Sequence, residues 1–189
     1  MDDEVTKGKS ELEIILFATP GEWELWLEEH YADQKGIWLR FYKKGSGLIS
    51  VNYDQALDIA LCFGWIDGQT KTFDEHSYLQ KFTPRRIRSN WSKRNVGIVA
   101  RLEQEGRLRP SGIREVESAK ADGRWDLAYD SPGNMTIPED FLREISKNKK
   151  AKKFFDALNK VNLYSIGYRL QTAKKPEIRQ CEIMENCRH

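Results

Sequence analysis

The chain has 189 residues, 39% hydrophobic and 32% charged, with six Trp, seven Tyr and eight Phe, a composition that describes a folded globule with an aromatic core and excludes a disordered tail. Its length suits one domain with a helical extension better than two large independent domains. The start is acidic and polar where a signal peptide needs a basic then apolar run, and no stretch reaches the twenty or so apolar residues of a span, so secretion and membrane insertion are not expected.

The charge is uneven beneath a net value of +2. Residues 1–34 carry ten acids and two bases, residues 81–109 nine bases and two acids, and residues 143–175 ten bases and two acids. Most of this reads as solvated or mutually facing surface. Only 81–109 interleaves its arginines with aromatic and small polar residues, which is the pattern of an anion-recognising segment.

Residues 1–10 read as an acidic, flexible N-terminus. Thr19-Pro20-Gly21-Glu22 combines a cap, a proline at the first helical position and a glutamate three residues on, which opens a helix. Trp23, Trp26, Leu27 and Tyr31 recur on one face of it, a core stripe and not a ligand site. Ile37 to Lys43 alternates with bulky residues on both faces, so the strand is expected to be covered on both sides. Asn52 to Phe63 is a second helix, stopped by Gly64. Trp65 to Phe73 and Tyr78 to Phe82 form a hairpin around Asp74-Glu75-His76-Ser77.

Ser92 caps a helix that ends near Gly106, and Ser111 to Ala121 is a shorter one ending at Gly123. Tyr129 to Thr136 is a loop with Pro132-Gly133-Asn134 as its turn. Pro138 opens a helix, Phe154, Phe155 and Leu158 belong to another, and the segment after Pro176 to one more. The expected class is α+β: a small antiparallel sheet with helices in a core domain over 11–125, and a helical C-terminal region over 126–189 packed on it.

The segments that stand out chemically are Gly64-Trp65-Ile66-Asp67-Gly68 and, one hairpin later, Phe82-Thr83-Pro84-Arg85-Arg86 with Ser89-Asn90-Trp91-Ser92 and Asn95. With Trp38-Leu39-Arg40, the 119–125 run Ala-Lys-Ala-Asp-Gly-Arg-Trp and Pro138-Glu139-Asp140, they resemble the YdeI/OmpD-associated, or bacteriocin-protection, family. The likeness covers nearly the whole chain and departs only near the end, at Ile178, Cys181 and Glu182. It implies a bacterial stress-protection protein associated with tolerance to bacteriocins or cationic antimicrobial peptides, with an envelope-protein partner and no established chemistry, while the acidic start and the three cysteines point to the cytoplasm.

Read from the residues, Asp67 sits in an apolar strand, where an unpaired carboxylate is costly. An ion pair with Arg85, Arg86 or Arg88 is expected. A ligand reading uses the same segment as a pocket for a small anion. Arg85 and Arg86 are the forks, of which only one faces inward if the chain is extended. Trp65 and Trp91 form an aromatic wall, and Ser89, Ser92 and Asn95 sit at a helix start. An enzyme acting through Asp67 with Arg85 and Arg86 on an anionic substrate is the alternative, with Tyr78 or His76 as conceivable proton partners. Catalytic residues are otherwise unassigned. His30 and His76 both read as exposed, without a nucleophile to activate.

No nucleotide, zinc or acyl-transfer motif occurs, so no cofactor is expected. Cys62 reads as a small buried hydrophobe in a reducing compartment. Cys181 and Cys187 with His189 form no metal site but a solvated end. A nucleic-acid partner over 81–109 ranks below a small anion or a protein, because the pI of 8.3 is modest and the N-terminal segment is acidic. The basic helix near Lys147 to Lys153 is a poor membrane-surface element if its apolar residues are committed to the core.

Overall fold

The computed structural model describes residues 12–32, 35–173 and 177–182, so the expectations for the first ten residues, for Cys187 and for His189 fall outside them. The fold is α+β. Its elements are β1 (Ile14–Ile15), α1 (Pro20–His30), β2 (Ile37–Tyr42), α2 (Tyr53–Cys62), β3 (Trp65–Thr72), β4 (Ser77–Pro84), α3 (Lys93–Gln104), α4 (Pro110–Ala121), α5 (Glu139–Ile145), α6 (Lys149–Asp156) and α7 (Lys160–Thr172). Two compact units emerge, one drawn from Met1–Arg86 and Leu102–Glu115, the other from Ile87–Arg101 and Val116–His189.

In the first unit the strands run in the order β1-β2-β4-β3. The ladders of β4 with β2 and β3 are antiparallel, whereas the two-residue β1 joins β2 in parallel. The pairs Ile37↔Phe82, Leu39↔Gln80 and Phe41↔Tyr78 share one face, because directly opposed residues point the same way. Trp23 of α1 packs against Phe82 (ring centroids 5.8 Å apart) and Trp65 (6.2 Å), and its indole N–H donates to the Ala56 carbonyl of α2 at 3.1 Å. Two helices are thereby held on that face, and Ile37, Leu39, Phe41, Trp23, Leu27, Trp65 and Phe82 are all buried.

The opposite face departs from expectation in kind. Trp38, Arg40 and Tyr42 are half-buried, and cations meet them: Lys71 Nζ lies 4.3 Å from the Trp38 ring centre, and the Arg40 guanidinium 5.1 Å from Tyr42 and 4.7 Å from Phe73. Long cationic stems shield apolar surface while their heads stay wet.

Helix starts follow the local chemistry. Glu22 N–H donates to Thr19 Oγ1 at 3.3 Å, Asn52 and Gln55 cap α2 reciprocally (2.9 and 3.2 Å), and Asn95 N–H donates to Ser92 Oγ at 3.2 Å. The α2–β3 turn requires Gly64, whose φ is +77°. At Gly112, on α4, a Cβ would stand 2.2 Å from the Cys62 carbonyl oxygen.

The second unit has a smaller core of its own: Phe141, Ile145, Ala151, Phe155 and Leu170, with Ile137, Leu142, Leu158, Leu163 and Ile166 around them. Asn148 and Asn159 cap α6 and α7. Residues 177–182 are helical, and Arg179 grips Asp140 of α5 with two hydrogen bonds of 2.8 and 2.9 Å. One expectation is corrected here. The apolar residues of α6 are not all committed to the core: Phe155 is buried, but Phe154 is 61% exposed, because consecutive residues on a helix point about 100° apart.

Candidate functional site

The first unit holds Trp65, Asp67, Arg85 and Arg86. Trp65 begins β3 with its ring buried against Trp23 and Trp26 and its N–H donating to the Tyr31 carbonyl at 2.8 Å. Asp67 is paired in register with Phe82 and so faces the helices. There its carboxylate accepts a 2.8 Å hydrogen bond from the Tyr53 hydroxyl. The expected arginine pair is therefore replaced by a phenol, because the register turns Asp67 toward the first residue of α2. Neither Tyr78 nor His76 hydrogen-bonds it: Tyr78 stacks on Phe41, and His76 lies in the hairpin turn with its N–H on Asp74 Oδ1 at 2.9 Å.

Arg85 and Arg86 diverge as neighbours on extended chain must. Arg85 is 7% exposed, and its N–H donates to the Gly64 carbonyl at 3.0 Å, while Arg86 is exposed. Arg88 has a φ of +63°, a left-handed conformation that marks the sharp turn after β4.

A groove of about 160 Å³ also belongs to this unit, lined by Glu28, Tyr31, Phe63, Arg109, Pro110 and Ser111. Arg109 lies 5.6 Å from the Phe63 ring centre and donates to Glu24 (3.2 Å) and Glu28 (2.7 Å). Beneath it Cys62 is buried, and burial pushes its thiol up to about 11, which leaves it protonated and inert. His30 differs from its expected exposure: it is half-buried and stacks on Trp26 with centroids 4.4 Å apart.

The second unit holds Ser89, Trp91, Ser92 and Asn95. The buried Trp91 ring packs 5.0 Å from Trp125. Ser92 caps α3 through the Asn95 N–H, and Asn95 itself is buried. The Ser89 carbonyl accepts from Arg124, whose other donors go to Asp122 and Ser118. Arg124 is 2% exposed, so its staple of four bonds joins a loop to a helix inside the unit.

Sequence reasoning passed over one further carboxylate. Asp130, 7% exposed, takes Lys93 Nζ at 2.7 Å, Thr136 Oγ1 at 2.7 Å and Gln171 Nε2 at 2.8 Å, while its own N–H donates to Gln171 Oε1. Burial alone would raise its pKa, but the hydrogen bonds from Lys93, Thr136 and Gln171 outweigh this and hold it well below the usual carboxylate range. The only sequence signal was its place before Ser131-Pro132-Gly133, since two of its partners, Lys93 and Gln171, lie 37 residues earlier and 41 later. Gln80 was missed for the same reason. It is buried in β4 and donates to the Gly68 carbonyl at 2.8 Å, where the β3 ladder skips register between Asp67 and Thr70.

Comparison with known proteins adds two matches. Residues 15–115, more than half of the chain, match a family model described as a domain of unknown function, DUF8412. The chain belongs to the DUF8412 family. Residues 134–187 match the family model described as Bacteriocin-protection, YdeI or OmpD-Associated, the family that the sequence resembles. No curated protein and no solved structure matches.

The two matches divide the motifs in an unexpected way. The Gly64 to Gly68 and Phe82 to Asn95 segments lie in the DUF8412 part, and the YdeI/OmpD-associated part covers α5 to α7 and includes Ile178, Cys181 and Glu182, where the sequence departs most from the pattern. Within that part a polar depression is lined by Asp140, Arg143, Glu144, Lys147 and Gln180. Among the described residues no cluster of three His, Cys, Asp or Glu side chains suits a metal ion, and no helix is long and apolar enough to cross a membrane.

Proposed function

We propose that this chain is a binding protein with a bacteriocin-protection-type role, in which Arg85 recognises a small anion or a carboxylate-bearing group. The observation that carries the reading is the burial of Arg85 on stiff backbone: Pro84 precedes it, its N–H is fastened to Gly64, and only 7% of it is exposed, while Arg86 is turned out. Burial on stiff backbone narrows the freedom of the guanidinium, so less is lost when its planar fork meets an anion than with a mobile lysine. Trp65, paired with Pro84 in the β3–β4 ladder, is its apolar neighbour within the first unit, and Ser89, Trp91, Ser92 and Asn95 belong to the second unit.

The test is titration calorimetry with phosphate, sulfate and acetate, paired with thermal unfolding, on the parent, Arg85→Ala and Arg86→Ala. Loss of about 1.5 to 3 kcal/mol of binding in Arg85→Ala, the range for a hydrogen bond to a charged group, supports the site. A parent that binds none of the three anions, with Arg85→Ala merely melting lower, makes the arginine scaffold.

A second reading has one observation in its favour. The 2.8 Å contact between Tyr53 and Asp67 is a half-buried phenol–carboxylate pair of the kind that moves protons. Turnover of an anionic substrate that disappears in Asp67→Asn would replace the binding reading with an enzymatic one. Cytoplasmic residence belongs to the same proposal and draws on Cys62, a buried thiol with no need of an oxidising compartment. An envelope protein as partner is proposed from the family description alone.

A further inference from the structure

Between Arg143 and Lys160 the chain carries seven basic and two acidic residues. Both acids are answered locally, Glu144 by Lys147 and Asp156 by Lys152, each at 2.6 Å. α6 turns Ala151 and Phe155 into the core. The helical step of about 100° then gathers Lys149, Lys150, Lys153 and Phe154 on an arc away from those two. All four are exposed, Phe154 at 61%. Three residues later α7 begins with Lys160 and Val161, also exposed, Val161 at 74%. Each of the two helices thus shows a bare apolar side chain beside lysines, and Asp156, the carboxylate next to the arc, is paired with Lys152.

We propose that this α6–α7 corner docks on an anionic lipid surface, with Phe154 and Val161 entering the headgroup boundary and Lys149, Lys150, Lys153 and Lys160 meeting the lipid phosphates. Apolar side chains flanked by lysines are what an interfacial helix requires: burial of the former and attraction of the latter to anionic headgroups act together. The cations are all lysine, point charges suited to a diffuse surface potential, where phosphate forks for nucleic acid would favour arginine. A single exposed ring offers no platform for successive bases either. Nothing in this proposal depends on the anion site at Arg85.

Flotation of the full chain tests it, with vesicles of phosphatidylcholine alone and of phosphatidylcholine with about one third phosphatidylglycerol. Binding is expected only to the anionic vesicles and should weaken as salt rises. Lys150→Gln with Lys153→Gln should lower partitioning about 25-fold, at about fivefold per lysine. Phe154→Ala should lower it about tenfold. Both variants should melt with the parent, since the altered side chains are exposed. Equal binding to neutral vesicles, no binding at all, or anionic binding indifferent to Phe154→Ala each overturns the proposal. So does a single-stranded oligonucleotide that binds more tightly than the vesicles and is insensitive to Phe154→Ala, which would assign the corner to nucleic acid.

Discussion

The two units reach stability by different chemistry. In the first, a ladder of aromatic rings does most of the work: Trp23, Trp65, Phe82 and Phe41 are buried on one face of a sheet, and the polar atoms among them are few and satisfied in pairs. In the second the buried apolar set is smaller, and polar side chains tie distant segments together. Asp130 joins the start of α3 to the end of α7, and Arg124 joins the Ser89 loop to α4. The first kind of core tolerates pH and salt, because apolar burial carries no charge. The second is directional and ionised, and its strength depends on the protonation of a single acid.

The largest effect should come from breaking the aromatic ladder. Trp65→Ala is expected to cost about 3 to 5 kcal/mol, as a buried ring is lost together with its bond to Tyr31. Urea unfolding read by far-UV circular dichroism checks this, and the loss should be the same at pH 4 and pH 7.

Asp130→Ala should cost about 2 to 3 kcal/mol by leaving buried donors unpaired. Here pH sharpens the contrast. The folded pKa is depressed, so the contribution of Asp130 is fully present above the unfolded value of about 3.9 and disappears as pH falls through the lower folded value. The difference in stability between parent and Asp130→Asn should therefore shrink from pH 6 down to pH 2. A difference that stays constant would remove the ionised knot from the account.

Gly112→Ala tests packing against propensity. Helix propensity alone predicts a gain of roughly 1 kcal/mol, but the added Cβ would meet the Cys62 carbonyl at 2.2 Å. A loss of about 1 to 3 kcal/mol is expected, visible as a lower urea midpoint. A gain would mean that α4 can shift away from α2. Tyr53→Phe should cost about 1 kcal/mol by taking the donor from Asp67. Smallest of all, Arg109→Ala should change stability by less than about 1 kcal/mol, because its bonds to Glu24 and Glu28 are partly exposed and screened.

Where local rules decide the outcome, the sequence was sufficient. Thr19, Asn52 and Ser92 cap helices because a cap needs only its own side chain and an N–H three residues on. The period of two in β2 and of 3.6 in α1 placed Ile37, Leu39, Phe41, Trp23 and Leu27 inside, and the alternation of neighbours on extended chain foretold that Arg85 and Arg86 would part. What tertiary structure alone decided is which groups meet from far along the chain. Register turned Asp67 toward Tyr53 and away from the arginines, a parallel β1 too short to show any period joined the sheet, and Asp130 drew partners from 37 residues before and 41 residues after it. A polar pair depends on the meeting of two particular atoms, and no pattern along one segment encodes that. Apolar burial requires only a face, and a face is written in the spacing of the residues themselves.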